Sequence, residues 1–235
     1  MSRLAHTLAL DVRLQWRNRL YYVGAGVALL MVYLLRAFFT HEQMAVALPA
    51  FLFFAVGGTV WFYLGGMVLL EQGEGTLDPL TVTPLRASEY LGSKFITLTA
   101  LCCFESALVV VLAYGLDFHL PLALAGCVGM SLVMVGLGFA MAARCAGITE
   151  FLMPSMLAMI VLETPALHYF DLWAVPLWYA VPTMPPLLLL EAAFRPVPQG
   201  ELVYGLLATP LMVAGGFAVA GAAYRRYIVA QRCGA

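Results

Sequence analysis

Six long apolar stretches limit what this chain can fold into more than any other feature of its sequence. A membrane-spanning helix needs about 20 mostly apolar residues, because roughly 30 Å of hydrocarbon is crossed at about 1.5 Å per residue. Charged residues make up 11% of the chain, whereas soluble domains carry roughly 25%. We therefore predict an all-α membrane protein, a single transmembrane domain over 1–235 with six transmembrane helices. They are placed at Leu20–Phe39, Ala47–Leu70, Phe95–Leu116, Leu120–Ala143, Ile148–Leu162 (with or without a broken continuation) and Leu202–Ala223.

The positions of the basic residues predict which loops face the cytoplasm. Lys and Arg concentrate in the cytoplasmic flanks of membrane proteins, and acidic residues contribute little to this rule. Ten of the 12 basic residues fall before the first span, in the second and fourth loops, or after the sixth span. Only Arg36 and Arg195 lie on the other side. Both termini are therefore expected in the cytoplasm, and the net charge of −1 excludes a basic surface for nucleic acid.

The first 19 residues are predicted to form an amphipathic helix along the inner leaflet. At about 100° per residue, Leu8, Val12 and Trp16 fall on one face and Arg13 and Arg17 on the opposite side. This pattern is typical of an interfacial helix. The helix either sets the topology alone or acts as a mechanical elbow that leads into the first span.

The segment 163–201 is predicted to lie outside and to form short helices before the last span. It is rich in proline and aromatic residues and carries almost no charge between Asp171 and Glu191. Such a segment is too apolar for a solvated loop and too broken for one span. We expect re-entrant-like helices at the outer membrane face, since irregular backbone at depth is tolerated only where protein covers it or it lines a cavity. Their aromatic residues fit an interfacial belt as well as an exit gate.

The sequence contains no catalytic or metal-binding motif. A nucleotide-binding P-loop ends in Gly-Lys-[Ser/Thr], because its lysine must reach the phosphates. The only lysine, Lys94, directly follows Gly92-Ser93, so that motif is missing. The four histidines and five cysteines lack the spacing of metal ligands. We therefore expect no catalytic residue, no metal and no cofactor in this chain.

Glu105, about halfway along the third span, is the clearest functional candidate inside the membrane. A carboxylate at the bilayer centre costs about 2.5–3.5 kcal/mol on an insertion scale. Glu105 is either a substrate-facing or proton-linked carboxylate in a cavity, or a protonated or hydrogen-bonded side chain that ties helices together through a Thr, Tyr or Trp partner. Small residues at four-residue spacing, Gly24 with Ala28 and Gly216 with Ala220, predict close helix packing within the chain. For the first span, a dimer seam is the alternative.

The predicted cytoplasmic loop from Glu71 to Lys94 reads EQGEGTLDPLTVTPLRASEYLGSK. Its glycines permit a sharp departure from the second span, and its prolines interrupt the remainder of the loop. Leu77, Leu80 and Leu85 belong to a compact, mostly apolar knob beside acidic residues, and such a knob is unfavourable in water. The knob suits insertion into a groove on a partner protein. A loop helix lying on the membrane is the alternative.

The same loop resembles that of a known family. The run Glu71 to Leu85 fits the pattern E-x-x-EGTL-[ED]-x-L-x-x-[ST]-PL of ABC-2-type exporter permeases, and a Glu-Tyr and a Gly-x-Lys follow it into the third span, as in that family. The runs Leu10–Asn18 and Leu69–Leu77 are most similar to bacterial fluoroquinolone-export permeases. The elbow helix, the six spans and the broken external region agree with the family layout.

The resemblance implies the transmembrane subunit of an ABC exporter in the bacterial inner membrane, moving hydrophobic or amphipathic small molecules outward. It implies pairing with a second copy or a similar chain, and docking of an ATPase subunit that binds the ATP and magnesium. The residues implied to couple to this ATPase are Glu71, Glu74, Gly75, Thr76, Leu77, Asp78, Leu80, Thr83, Pro84 and Leu85. The residues expected along the substrate pathway are Phe51, Phe54, Trp61, Phe62, Glu105 and Met156.

Two other kinds of function fit the same sequence. One is an ABC permease for a different cargo, such as a lipid-linked glycan or haem. The other is an ion-coupled carrier or a membrane scaffold, either of which would have no ATPase partner.

Overall fold

The fold is built from helices that follow one another with short connections. The structure, a computed structural model, describes residues 3–73, 87–173 and 175–229, and within these ranges it contains no strand. The helices are α1 (Arg3–Arg17), α2 (Leu20–Phe38), α3 (His41–Gly73), α4 (Ala87–Ala113), α5 (Leu120–Ala142), α6 (Ile148–Glu163), α7 (Pro165–Tyr169), α8 (Met184–Phe194) and α9 (Gln199–Ala223). A 3₁₀ helix, Pro176–Ala180, precedes α8, and a π-helix, Tyr224–Val229, follows α9.

Six of these segments are long and apolar enough to cross a membrane, as predicted. Five of them contain α2, α3, α4, α5 and α9, and the remaining one runs from Ile148 to Tyr169 through α6 and α7. Pro154 lies inside α6 without ending it, because neighbouring groups in a membrane protein can satisfy the backbone carbonyl that a proline frees. The second and third spans are longer than predicted, since α3 and α4 extend with more polar residues beyond their apolar centres.

α5 forms the centre of the bundle and packs against α3, α4, α8 and α9. Glycines permit the closest approach: a Cβ placed on Gly136 would lie 2.6 Å from the backbone carbon of Gly216 in α9. Ala220, one turn further along α9, is fully buried. The prediction that Gly216 and Ala220 serve packing within the chain is therefore confirmed.

α8 is a short helix that returns into the protein. Its C-terminal end meets the beginning of α5, where the backbone N–H of His119 donates to the carbonyl of Ala193 at 2.9 Å. Its N-terminal end lies deeper, because a Cβ on Gly129 of α5 would be 3.5 Å from Pro186. Since α8 has 11 residues and buries Leu187–Leu190 among α3, α5 and α9, it is the predicted re-entrant-like helix, covered by protein rather than by lipid.

α1 packs against α4 with a polar stripe instead of an apolar one. Asp11 and Gln15, one turn apart, are 2% and 0% exposed, whereas Val12 and Trp16 are 43% and 60% exposed. Val12 and Trp16 of the predicted apolar face are thus turned away from the protein. The position of α1 along the inner leaflet stays a prediction. The amphipathic pattern did not indicate that Asp11, which lies beside the predicted apolar face and away from Arg13 and Arg17, would be buried.

Candidate functional site

Two places in the structure concern the residues singled out from the sequence: the base of the loop between α3 and α4, and a cleft beside Glu105. Among the residues implied to couple to an ATPase, Glu71 is described by the structure and is buried at the end of α3. The others lie in 74–86, outside the described residues; they are Glu74, Gly75, Thr76, Leu77, Asp78, Leu80, Thr83, Pro84 and Leu85.

A buried charge cluster joins three helices where this loop leaves α3 and enters α4. Lys94 of α4 is fully buried, and its Nζ lies 2.6 Å from Oε1 of Glu71 in α3 and 3.3 Å from Oδ1 of Asp11 in α1. One ammonium group therefore bridges two carboxylates from different helices. We call Asp11, Glu71, Tyr90, Ser93 and Lys94 the Lys94 network.

Hydroxyl groups complete the Lys94 network. The Tyr90 hydroxyl donates to Oε2 of Glu71 at 2.6 Å, and the Ser93 hydroxyl donates to Oδ2 of Asp11 at 2.5 Å. The ammonium of Lys94 also lies 4.8 Å from the centre of the Tyr90 ring, one turn earlier on α4. Buried charges are tolerated only when such partners satisfy them. The network therefore fixes α1, α3 and α4 to one another at the base of the loop.

Sequence reasoning named Glu71 but missed the other members of the Lys94 network. One signal was present: the single lysine of the chain lies just after the informative loop. The spacing of Tyr90 and Lys94 also places both on one side of α4. Nothing in the sequence indicated that Asp11, more than 80 residues away from Lys94, would reach it.

The second place is a narrow cleft between α2, α3 and α4, with a cavity volume of about 30 Å³. We call it the Glu105 cleft. Most of its wall is apolar, and Phe51 of the predicted pathway lies in it together with Glu105. Its lining also includes Gly24, Val27, Ala28, Met31, Leu52, Ala55, Val56, Thr59, Cys102, Ser106 and Val109.

The carboxyl group of Glu105 lies directly against the backbone of Gly24. A Cβ built on Gly24 would be 1.6 Å from Oε1 of Glu105, so a side chain there would displace the carboxyl group. Oε1 is buried and has no hydrogen-bond partner among the described residues. Oε1 therefore makes no hydrogen-bonded tie to another described residue, and both alternatives for the role of Glu105 stay predictions. Gly24 and Ala28 are buried within the chain, and Gly24 faces Glu105 of α4, which favours packing within the chain over a dimer seam.

The remaining pathway candidates separate into exposed and buried side chains. Phe54 and Phe62 of α3 are 40% and 39% exposed, and Met156 of α6 is 53% exposed. α3 and α6 pack against each other, and the Phe62 ring meets that of Phe151 with centroids 6.5 Å apart. Trp61 differs from these because it is 2% exposed and packs against Gly138 of α5. It is part of the protein core and does not lie with the exposed residues.

Aromatic and polar side chains tie together the helices before the last span. The Tyr169 hydroxyl donates to the carbonyl of Val46 at 2.6 Å, and the Tyr204 hydroxyl donates to the carbonyl of Tyr179. The Tyr179 hydroxyl lies 3.4 Å from Oε1 of Glu201. Burial, and then the charge of Glu201, raise the pKa of Tyr179. Trp173 in the same segment is 61% exposed. The segment therefore contains both aromatic side chains that form hydrogen bonds between helices and aromatic side chains that face outward.

Known proteins resemble the chain over its whole length. Residues 2–232 match the Fluoroquinolones export permease protein family. Two proteins named fluoroquinolones export permease, from two strains of Mycobacterium tuberculosis, are each 33% identical to the chain over 237 residues. These alignments cover 100% of this chain and 99% of each relative.

Proposed function

Because the chain belongs to the Fluoroquinolones export permease protein family, we propose that it is the transmembrane subunit of an ABC exporter for amphipathic small molecules. Fluoroquinolones, named in its relatives, are the first compounds to test as cargo. The observation that carries the proposal is the match over nearly the entire chain, on a fold with six potential spans. ATP and magnesium are bound by a separate subunit, and the permease works in the bacterial inner membrane with both termini in the cytoplasm.

Coupling to the ATPase is proposed to pass through the loop that begins after Glu71. The sequence of this loop carries the family pattern, and its apolar knob needs a partner groove. The Lys94 network supports this role because it joins both ends of the loop to α1. A displacement of the loop by the ATPase would therefore move α1, α3 and α4 together rather than bend a single helix.

The substrate pathway is proposed to lie between two copies of the permease. The exposed apolar side chains of α3 and α6, among them Phe54, Phe62 and Met156, support this arrangement. Such side chains bind amphipathic molecules without demanding one shape. A second copy would cover them in the assembled exporter.

Oε1 of Glu105, which has no hydrogen-bond partner among the described residues, favours one rival function, an ion-coupled carrier. A carrier of that kind needs no ATPase and is driven by a proton or ion gradient. The two functions predict different transport activities once substitutions in the loop prevent an ATPase from docking. A carrier keeps its transport activity, whereas an ABC permease loses it.

The test is a double substitution in the loop, Leu77→Asp with Leu80→Asp. We expect it to abolish both copurification of the ATPase subunit and stimulation of ATP hydrolysis by substrate, because two carboxylates cannot enter an apolar groove at low cost. Leu172→Asp is the matched control, since Leu172 is 73% exposed in the external segment, and it should leave both readouts intact. Unchanged stimulation in the double variant would contradict the coupling role.

A further inference from the structure

Three arginines gather at the end of the bundle where α9 ends. Arg225 and Arg226 lie in the π-helix that follows α9, and Arg144 lies in the connection between α5 and α6. All three are exposed, and in the part of the chain that the structure describes none of them forms an ion pair with a carboxylate. This end of the bundle therefore carries an excess of positive charge.

One tyrosine ring brings two of these cations together. The guanidinium carbon of Arg144 lies 5.6 Å from the centre of the Tyr227 ring, and that of Arg226 lies 5.5 Å from the same centre. The face of an aromatic ring attracts a cation, but two guanidinium groups beside one ring repel each other. A bound anion offsets this repulsion. We call Arg144, Arg226 and Tyr227 the Tyr227 site.

The Tyr227 site is anchored to the bundle through Tyr224. Tyr224 is buried, and the centre of its ring lies 5.6 Å from that of Tyr90 in α4 and 6.4 Å from that of Phe139 in α5. The π-helix that carries both Tyr224 and Tyr227 is a rare conformation, found frequently at functional sites. Packing of this helix against α4 and α5 therefore fixes where the Tyr227 ring lies.

The carboxylate nearest to Arg144 along the chain has another partner. Glu150, in the first turn of α6, accepts a hydrogen bond from the backbone N–H of Ala146 at 2.9 Å. Its carboxylate thus stabilises the connection between α5 and α6 and forms no ion pair with Arg144. Both cations of the Tyr227 site stay available to an anion from outside.

The Tyr227 site lies close to the ends of three potential spans. The connection between α5 and α6 is confined to residues 143–147, and the π-helix continues α9 without a break. Arg144 and Arg226 are therefore only a few residues from the apolar parts of α5, α6 and α9. Arginine side chains at the ends of spans reach the interface between hydrocarbon and water, which is where phospholipid headgroups lie.

We propose that the Tyr227 site binds the headgroup of an anionic phospholipid, whose phosphate accepts hydrogen bonds from the guanidinium groups of Arg144 and Arg226. Arginine suits this role because its planar guanidinium can donate two parallel hydrogen bonds to a phosphate. Basic pockets between spans bind anionic headgroups in this way. The depth of the site favours a lipid over free phosphate. This inference goes beyond the proposed function, because it concerns the lipid around the protein and neither its cargo nor an ATPase.

The experiment is native mass spectrometry of the purified full-length permease in detergent, titrated with palmitoyl-oleoyl phosphatidylglycerol or with the phosphatidylcholine of the same acyl chains. The wild type should bind the anionic phosphatidylglycerol about 25-fold more tightly, since each of two arginines contributes about fivefold. Arg144→Gln with Arg226→Gln should bind both lipids alike. Arg13→Gln with Arg36→Gln removes two exposed arginines from α1 and α2 and should keep the preference of the wild type.

Tyr227→Leu provides a second variant, which keeps both charges and removes the ring that positions them. It should lose most of the preference for phosphatidylglycerol. Tyr33→Leu is its control, since it removes an exposed ring from α2, and it should bind as the wild type does. Equal binding of the two lipids by the wild type would overturn the proposal. A preference that survives in full in Arg144→Gln with Arg226→Gln, or in Tyr227→Leu, would overturn it as well.

Two further outcomes would assign the Tyr227 site to a different anion and overturn the lipid. The first is displacement of phosphatidylglycerol by inorganic phosphate but not by sodium chloride of the same ionic strength, which would identify a site for free phosphate. The second is equal lipid binding by the wild type and Arg144→Gln with Arg226→Gln, together with loss of ATPase copurification in that variant. The arginines would then face a protein. The lipid titration itself needs no ATPase, so its outcome is independent of the coupling test.

Discussion

At the scale of single residues, Lys94 illustrates how one charge can hold three helices. Its ammonium lies between Glu71 and Asp11 and is fully buried. Removing one partner of a buried ion pair lowers the free energy of unfolding by more than the intact pair contributes to it. The reason is that the remaining charge stays buried without an opposite charge beside it. Here two carboxylates would lose it at once.

The first prediction therefore concerns Lys94→Met. We expect it to destabilise the permease by about 3–5 kcal/mol, seen as a lower unfolding temperature of the detergent-purified protein. The triple variant Lys94→Met, Glu71→Gln, Asp11→Asn removes the stranded charges and should recover a large part of the loss. An unfolding temperature equal to that of the wild type in Lys94→Met would show that the network does not hold the helices together.

At the scale of helices, packing depends on where glycine allows two backbones to meet. Gly136 of α5 faces the backbone of Gly216 in α9. Gly215, the residue before Gly216 on α9, faces open space. Neither Gly136 nor Gly215 has an unusual backbone conformation, so the difference between them is one of contact alone. This makes the two positions a matched pair.

The second prediction compares Gly136→Ala with Gly215→Ala. A methyl group at 136 must push α9 away, which costs about 1–3 kcal/mol in a packed core, and the unfolding temperature should fall accordingly. A methyl group at 215 should leave it unchanged. Equal effects of the two substitutions would mean that α5 and α9 do not approach as described.

The sequence predicts these helices well and their contacts poorly. Apolar runs of sufficient length specify a span by themselves, which explains why Leu20–Phe38 and Leu120–Ala142 agree closely with prediction. Burial of Trp61 could not be predicted, because an apolar sequence does not distinguish a lipid-facing side chain from one in the protein core. The burial of Asp11 and its contacts with Ser93 and Lys94 could not be predicted either. A row of polar residues on α1 is equally typical of a helix face exposed to water.

At the scale of the whole molecule, α4 connects two distant places. The Lys94 network lies where the loop meets the bundle, and the Glu105 cleft lies further along α4. α4 contributes Tyr90, Ser93 and Lys94 to one and Glu105 to the other. A movement of the loop would thus reach the cleft through a single continuous helix.

Inverted membrane vesicles test the proposed ATP-driven outward transport most directly. Vesicles that contain the permease and the proposed ATPase subunit should accumulate a fluoroquinolone when ATP and magnesium are supplied outside. Accumulation should persist when the proton gradient is collapsed with an ionophore, and it should stop with Leu77→Asp and Leu80→Asp. Accumulation that needs a proton gradient but no ATP would contradict ATP-driven export and identify the chain as an ion-coupled carrier.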